Sequence, residues 1–149
     1  MKNVYKIISI LFFLVVIVAS CTEQGKGGGE KITLVMTTEL LNDTNVFKFY
    51  DSMHSRQGIW PVITKANLAS GIEQIRIYRF ENRLMMMVEL PEGTDMRVMD
   101  SLYVNADPKV KDWGRMMDGL QRALPGVDST KKWVEMKLIH HYRDGSYLK

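Results

Sequence analysis

The order of strand-like and helix-like hydrophobic patterns constrains the fold of this chain more than any other feature. Residues 31–38 alternate between the two faces and are rich in β-branched side chains, which predicts a first strand. Residues 72–80 and 83–90 have the same character and are joined by a two-residue turn, which predicts an antiparallel hairpin. Residues 131–142 alternate again and predict the last strand.

The segments between these strands have apolar residues at the three- and four-residue spacing of amphipathic helices. Helices are predicted over about 42–55, 61–71, 94–102 and 108–124. The resulting order is β-α-β-β-α-β, in which each α is a helix with a shorter companion. This order predicts an α+β, ferredoxin-like fold, with a four-stranded antiparallel sheet and helices on one face.

The second hairpin strand is apolar on both of its faces. Leu84, Met86 and Val88 point to one face of the sheet, whereas Met85 and Met87 point to the other. A sheet with only one covered face should alternate apolar with polar residues. We therefore expect a homodimer in which two sheets meet face to face.

The first 20 residues predict a secretory signal peptide. Lys2 and Lys6 precede an apolar run of about a dozen residues, and small residues stand just before Cys21. The run is shorter than the about 20 residues that span a bilayer. The cysteine placement resembles a bacterial lipobox. It predicts a lipidated Cys21 and a lipoprotein of the cell envelope, on the periplasmic side, attached to the membrane only through its lipid.

Residues 21–30 are rich in glycine and predict a flexible tether, which leaves one domain over residues 31–149. Because Cys21 is the only cysteine, the chain has neither an intramolecular disulfide nor a multi-cysteine metal site. Loss of residues 1–20 lowers the net charge from +3 to +1. With no basic stripe, nucleic acid is not an expected partner.

Three side chains in one short stretch suggest a sugar pocket. His54 follows Tyr50 by four residues, which places both on one face of a helix, and Trp60 comes after the helix break. Aromatic rings cover the apolar faces of sugars while polar groups bind hydroxyls. The same spacing also fits a structural role, with Tyr50 and Trp60 at the edge of the core and His54 on the surface.

The remaining candidate ligands do not suggest a metal or cofactor site. His140 and His141 are neighbours on the predicted last strand, so they point to opposite faces. The run Met85–Met87 alternates in the same way and is more typical of core filling. The sequence has no glycine-rich phosphate loop, serine nucleophile elbow or Cys-x-x-Cys motif.

An ordered set of short motifs over about residues 32–142 resembles the L-rhamnose mutarotase family. The motifs are Tyr50-Asp51-Ser52-Met53-His54, Ile59-Trp60-Pro61, Ser70-Gly71-Ile72, Ile77-Tyr78, Asn82-Arg83-Leu84, Met87-Val88-Glu89, Trp113 with Met116-Met117, and Trp133-Val134-Glu135-Met136. The resemblance implies a dimeric ferredoxin-like barrel that needs no cofactor. It implies an isomerase that interconverts the α and β anomers of a free deoxysugar such as L-rhamnose.

The resemblance also assigns roles to individual residues. It implies that His54 is catalytic and donates a proton to the ring oxygen of the sugar. It implies that Tyr50 and Trp113 bind the substrate. Trp60 is expected to form a second apolar wall of the pocket.

Three departures from the family pattern leave the identity of the sugar open. The family's paired tryptophan is Trp113 followed by Gly114 in this chain. A binding tyrosine of the second strand is replaced by Ile75, unless Tyr78 substitutes for it as a binding residue. Two extra residues lie between His54 and the Ile-Trp-Pro motif.

Other assignments fit the same residues. Glu89 or Arg83 is a candidate for the second polar partner of the sugar. A non-catalytic sugar-binding lipoprotein of the envelope would bind sugar without accelerating its exchange. A monooxygenase-like dimer on the same fold that handles heme or quinone would use His54 as axial ligand or base.

Overall fold

The computed structural model describes residues 31–148. The predicted signal peptide over residues 1–20, the lipidation at Cys21 and the tether that extends to residue 30 lie outside the described residues, as does Lys149. None of the described helices is long and apolar enough to cross a membrane.

Five strands form the main sheet, and two more form a separate hairpin. The strands are β1 (Lys31–Leu40), β2 (Gln74–Phe80), β3 (Arg83–Pro91), β4 (Gln121–Arg122), β5 (Val134–Glu135), β6 (His141–Arg143) and β7 (Ser146–Leu148). The main sheet has the order β2-β3-β1-β4, and β5 also pairs with β1. Every pair is antiparallel, including the predicted β2–β3 hairpin.

Four helices, in two pairs, follow β1 and β3. They are α1 (Thr44–Met53), α2 (Pro61–Ala69), α3 (Met96–Asn105) and α4 (Pro108–Leu120). Aspartates cap the first turns of α1, α3 and α4, and α2 begins with its proline at the first position. The predicted α+β, ferredoxin-like fold is therefore confirmed. α4 ends four residues earlier than predicted, because the next two residues pair with β1 as β4.

The core lies between the helices and one face of the sheet. The buried core residues are Leu40, Tyr50, Ile63, Ala66, Leu84, Val110, Trp113 and Met117. Residues of the opposite parity lie on the face that carries no helix. Among them, Met85 and Met87 are half-buried, whereas Phe80 is 78% exposed. The predicted apolar second face is thus present, and its cover by a second copy stays a prediction.

The predicted last strand over residues 131–142 is present but much shorter than predicted. Only β5 and the next amide pair with β1, and the chain then leaves the sheet. Asp144 and Gly145 both have positive φ angles, 49° and 84°, and form a tight turn that folds β6 and β7 into a local hairpin. Because residues 141–143 pair with β7, they are not available to extend β5 along β1. The two adjacent histidines therefore do not share a sheet strand, and the ring of His140 packs edge-on against Tyr147 at 5.3 Å.

Candidate functional site

A cavity of about 760 Å³ lies between the helices and the helix-covered face of the sheet. Its size is within the range of about 300–1,000 Å³ that is usual for ligand pockets. The wall is largely apolar and aromatic, with Tyr50, Tyr103, Trp113 and Trp133 contributing rings. Such a wall with a few polar groups suits a small ligand that has both apolar and hydroxyl faces.

The last turn of α1 fixes the orientation of His54, which lines this cavity. The imidazole Nδ1 lies 2.9 Å from the main-chain oxygen of Tyr50, and the same oxygen accepts the His54 amide at 3.1 Å. A carbonyl oxygen can only accept, so Nδ1 carries the hydrogen of the neutral ring. The tautomer is thereby set, and the lone pair remains on Nε2.

Aromatic rings hold the imidazole from two sides. The Tyr50 ring stacks on His54 with 4.1 Å between centroids and 24° between planes. Trp113 meets His54 edge-on at 5.5 Å. Trp60 packs edge-on against Trp113 at 5.4 Å but is absent from the cavity lining. Its place is thus behind the wall, where it supports Trp113.

Burial controls the protonation of these groups. Desolvation lowers the pKa of His54, and this outweighs the opposing effects of the Tyr50 carbonyl and the Asp51 charge. Burial also raises the pKa of the Tyr50 phenol above its usual range, against a weaker opposing contact with the Gln121 side chain. At neutral pH the site therefore contains a neutral imidazole beside a protonated phenol.

An ion pair anchors the helix that carries Tyr50 and His54. Arg79 on β2 donates to both carboxylate oxygens of Asp51, at 2.9 Å from Nε and 2.6 Å from Nη2. The hydrogen bond from Arg79 holds the pKa of Asp51 below its usual value. The guanidinium also lies 5.3 Å from the centre of the Phe47 ring on the same helix. This two-point contact fixes α1 to the edge of the sheet.

The structure places three of the five predicted sugar-site residues in the cavity lining, whereas Trp60 only contacts that lining and Tyr78 lies elsewhere. His54, Tyr50 and Trp113 line the cavity. Tyr78 lies on the opposite face of the sheet, where it pairs with Met85 and is 48% exposed. Alternation along β2 instead places Ile75 in the cavity wall. The second strand thus contributes two apolar side chains to the pocket, Ile75 and Ile77, and no phenol.

The two candidates for a second polar partner do not lie at the cavity. Arg83 donates to Glu39 at 2.6 Å, on the helix-free face. Glu89, on the same face, accepts from Arg76 at 2.9 Å. Both predictions are wrong, because odd-numbered positions of β3 point away from the helices.

Sequence reasoning missed two carboxamides that line the cavity, Asn67 and Gln121. Asn67 follows the core residue Ile63 by four positions on α2, and this helical spacing was the available signal. Gln121 stands at the junction of α4 and β4, and no local pattern marks it. Asp100 and Asp118 also border the cavity but are exposed.

Two glycines shape the site. Gly114, next to Trp113, lines the cavity, and a Cβ added there would meet no atom within 4 Å. The space beside it is therefore open. Gly58 lies in the turn between α1 and α2, and a Cβ there would stand 1.9 Å from the main-chain oxygen of Ser52. That turn packs tightly against the end of α1.

Metal binding finds no support in the described part of the chain. Among residues 31–148, no three histidine, cysteine, aspartate or glutamate side chains lie close enough to hold an ion. The available chemistry at the cavity is proton transfer by the imidazole, together with hydrogen bonding by phenols and carboxamides.

Comparison with known proteins gives two matches. The sequence model of L-rhamnose mutarotase matches residues 33–142, a span that contains the whole lining of the cavity. The L-fucose mutarotase of Xanthomonas campestris pv. campestris is 28% identical to this chain over 102 residues. That alignment covers 68% of this chain and 81% of the relative.

Proposed function

Because the chain belongs to the L-rhamnose mutarotase family, we propose that it accelerates exchange between the α and β anomers of a free deoxysugar such as L-rhamnose. The observation that carries this proposal is the neutral, tautomer-fixed imidazole of His54 in the wall of the cavity. Similarity to an L-fucose mutarotase supports a 6-deoxyhexose as the substrate class.

The proposed chemistry needs one imidazole, since the anomeric hydroxyl and the ring oxygen are bonded to the same carbon. Nε2 of neutral His54 accepts the proton of the anomeric hydroxyl. As the bond between the anomeric carbon and the ring oxygen breaks, the imidazolium delivers that proton to the ring oxygen. The open aldehyde then rotates about its first carbon–carbon bond, and the reverse sequence closes the ring on the other carbonyl face.

The surroundings of His54 suit both halves of this cycle. A lowered pKa keeps the imidazole neutral and ready to accept at pH 7, and it makes the imidazolium a better acid in the second half. The Tyr50 ring prevents the imidazole from tilting, and Trp113 offers a flat apolar surface to the sugar. Positioned acid–base groups typically contribute about 10²–10⁴-fold to a rate.

The test is NMR exchange spectroscopy on L-rhamnose and L-fucose with the wild type and His54→Gln. We expect the variant to lose about 10²–10⁴-fold of the acceleration while it remains folded. His140→Gln, which changes an exposed histidine outside the cavity, is the matched control and should exchange as the wild type does. Full acceleration by His54→Gln would exclude His54 as the catalyst. A wild type that binds sugar without accelerating exchange would instead support the non-catalytic lipoprotein.

We further propose that the helix-free face of the sheet pairs with a second copy of the chain. Phe80, Tyr78 and Met136 expose apolar surface there, at 78%, 48% and 46%. Sedimentation equilibrium should give a dimer for the wild type and a monomer for Phe80→Glu. A wild-type monomer at micromolar concentration would refute the pairing.

For localisation, we propose a lipoprotein of the cell envelope that is anchored through Cys21. The support is the sequence pattern of residues 1–21. When the full chain is expressed, the wild type should appear in the membrane fraction and the Cys21→Ala variant in the soluble fraction. Equal fractionation of both proteins would contradict the anchor.

A further inference from the structure

Two residues of the cavity lining each have a buried carboxamide oxygen that lacks a hydrogen-bond partner among the described residues. The two oxygens are Oε1 of Gln121 and Oδ1 of Asn67. Gln121 is only 4% exposed. Nearly all buried polar atoms in folded proteins are paired, and one that is not destabilises the fold. Two such atoms in the lining residues of one cavity therefore require an explanation.

The surrounding fold sets the position of both side chains in the cavity lining. The main chain of Gln121 is held on both sides, because its amide donates to Asp118 and its segment pairs with Leu40. Asn67 lies one turn after Ile63, which is buried in the core. Both backbones are fixed by the fold. The phenol of Tyr50 contacts the Gln121 side chain, but neither carbonyl oxygen has a hydrogen-bond partner in the described part of the chain.

We infer that Gln121 and Asn67 are substrate-positioning residues, whose carbonyl oxygens each accept a hydrogen bond from a hydroxyl of the sugar. This inference rests on the proposed function. Neutral carboxamide oxygens suit uncharged hydroxyl donors, and sugars carry several of these away from the reacting carbon. The pair then selects sugars by hydroxyl position, because a sugar that lacks the matching hydroxyl leaves a buried acceptor unpaired.

A third buried atom supplies the matched control. Oγ1 of Thr38 is also buried without a partner in the described part of the chain, but Thr38 is not in the lining of the cavity. Thr38→Val removes the unpaired atom and should raise the temperature of unfolding without any effect on sugars. This control shows how much an unpaired buried atom lowers stability when that atom has no part in sugar binding.

The test uses Gln121→Met and Asn67→Leu, which keep the approximate shape of each side chain and remove the oxygen. Affinity for L-rhamnose, L-fucose and their single-hydroxyl deoxy analogues is measured by calorimetry, and exchange is measured by NMR. We expect each variant to lose about tenfold in affinity for the best natural sugar, the equivalent of one hydrogen bond. For the analogue that lacks the bound hydroxyl, wild type and variant should bind equally. The unfolding temperature should be unchanged or higher.

The outcomes separate this inference from the proposed function. Wild-type affinity of both variants for every sugar and analogue would overturn the inference and assign the two oxygens to bound water. A wild type that binds sugars with the expected analogue pattern but does not accelerate exchange would overturn the enzyme assignment alone. A wild type that binds none of these sugars would overturn both.

Discussion

Replacement of Gly114 by alanine should stabilise the protein, because this glycine stands inside a helix with open space beside it. α4 has 13 residues, and Gly114 is the seventh of them. Its φ is not among the positive ones, so alanine can adopt the same backbone conformation. A Cβ there would meet no atom within 4 Å. The full difference in helix propensity, about 0.8–1.0 kcal/mol, should therefore appear in the free energy of unfolding.

Thermal unfolding followed by circular dichroism is the assay. For a domain of this size, a gain of about 1 kcal/mol raises Tm by about 4 °C. Gly119→Ala is the matched control, since it lies in the same helix and also meets no atom within 4 Å. Its gain should be smaller, because it is the last residue but one of the helix, where ends fray. An unchanged or lower Tm for Gly114→Ala would refute the reasoning.

Three further predictions concern the site and its support. Stability should fall as the pH drops below 6.5, and exchange should slow only at the lower pH at which folded His54 takes up a proton, because burial lowers the pKa of His54 in the folded protein. The unfolded chain then binds a proton at His54 more readily than the folded protein does. The stability that neutral His54 contributes above pH 6.5 is therefore lost as the pH falls through the folded pKa. His54→Gln should lack this step in pH-dependent melts. Gly58→Ala should cost about 1–3 kcal/mol or more in urea unfolding, because its Cβ meets main-chain oxygen at 1.9 Å; no loss would contradict the turn geometry. Glu39→Gln should cost about 1–3 kcal/mol, because the buried carboxylate accepts from Arg83 and Arg122 at 2.6 Å. The loss of stability should lie near the lower end of this range, since both arginines are half-exposed. A loss equal to that of exposed Glu135→Gln would refute a stabilising role for these two ion pairs.

The elements that sequence patterns predicted well are those whose signal is local. The β2–β3 hairpin follows from two alternating runs around a two-residue turn, and the helix starts follow from aspartate caps and first-position prolines. The length of the last strand was wrong because the prediction followed the alternation before residue 143 and overlooked the Asp144-Gly145 turn, itself a local signal.

The same distinction between local and long-range signals holds for the residues of the site. Tyr50 and His54 share one helix face, so their spacing placed them together. Gln121 comes to the cavity only through the pairing of β4 with β1, a contact between distant segments. The position of Tyr78 depends on which face of β2 the helices cover, and strand alternation alone cannot say this.

The partner of His54 Nδ1 belongs to the main chain, so no amino-acid substitution can delete it. Where a carboxylate side chain orients a histidine, a single mutation of that residue releases the imidazole ring from its orientation. In this protein the end of a helix sets the orientation of the ring. Side chains elsewhere in the cavity wall can therefore change without altering the orientation of the imidazole. The vulnerable positions are instead those that bend or shorten α1, and insertions in the turn after it.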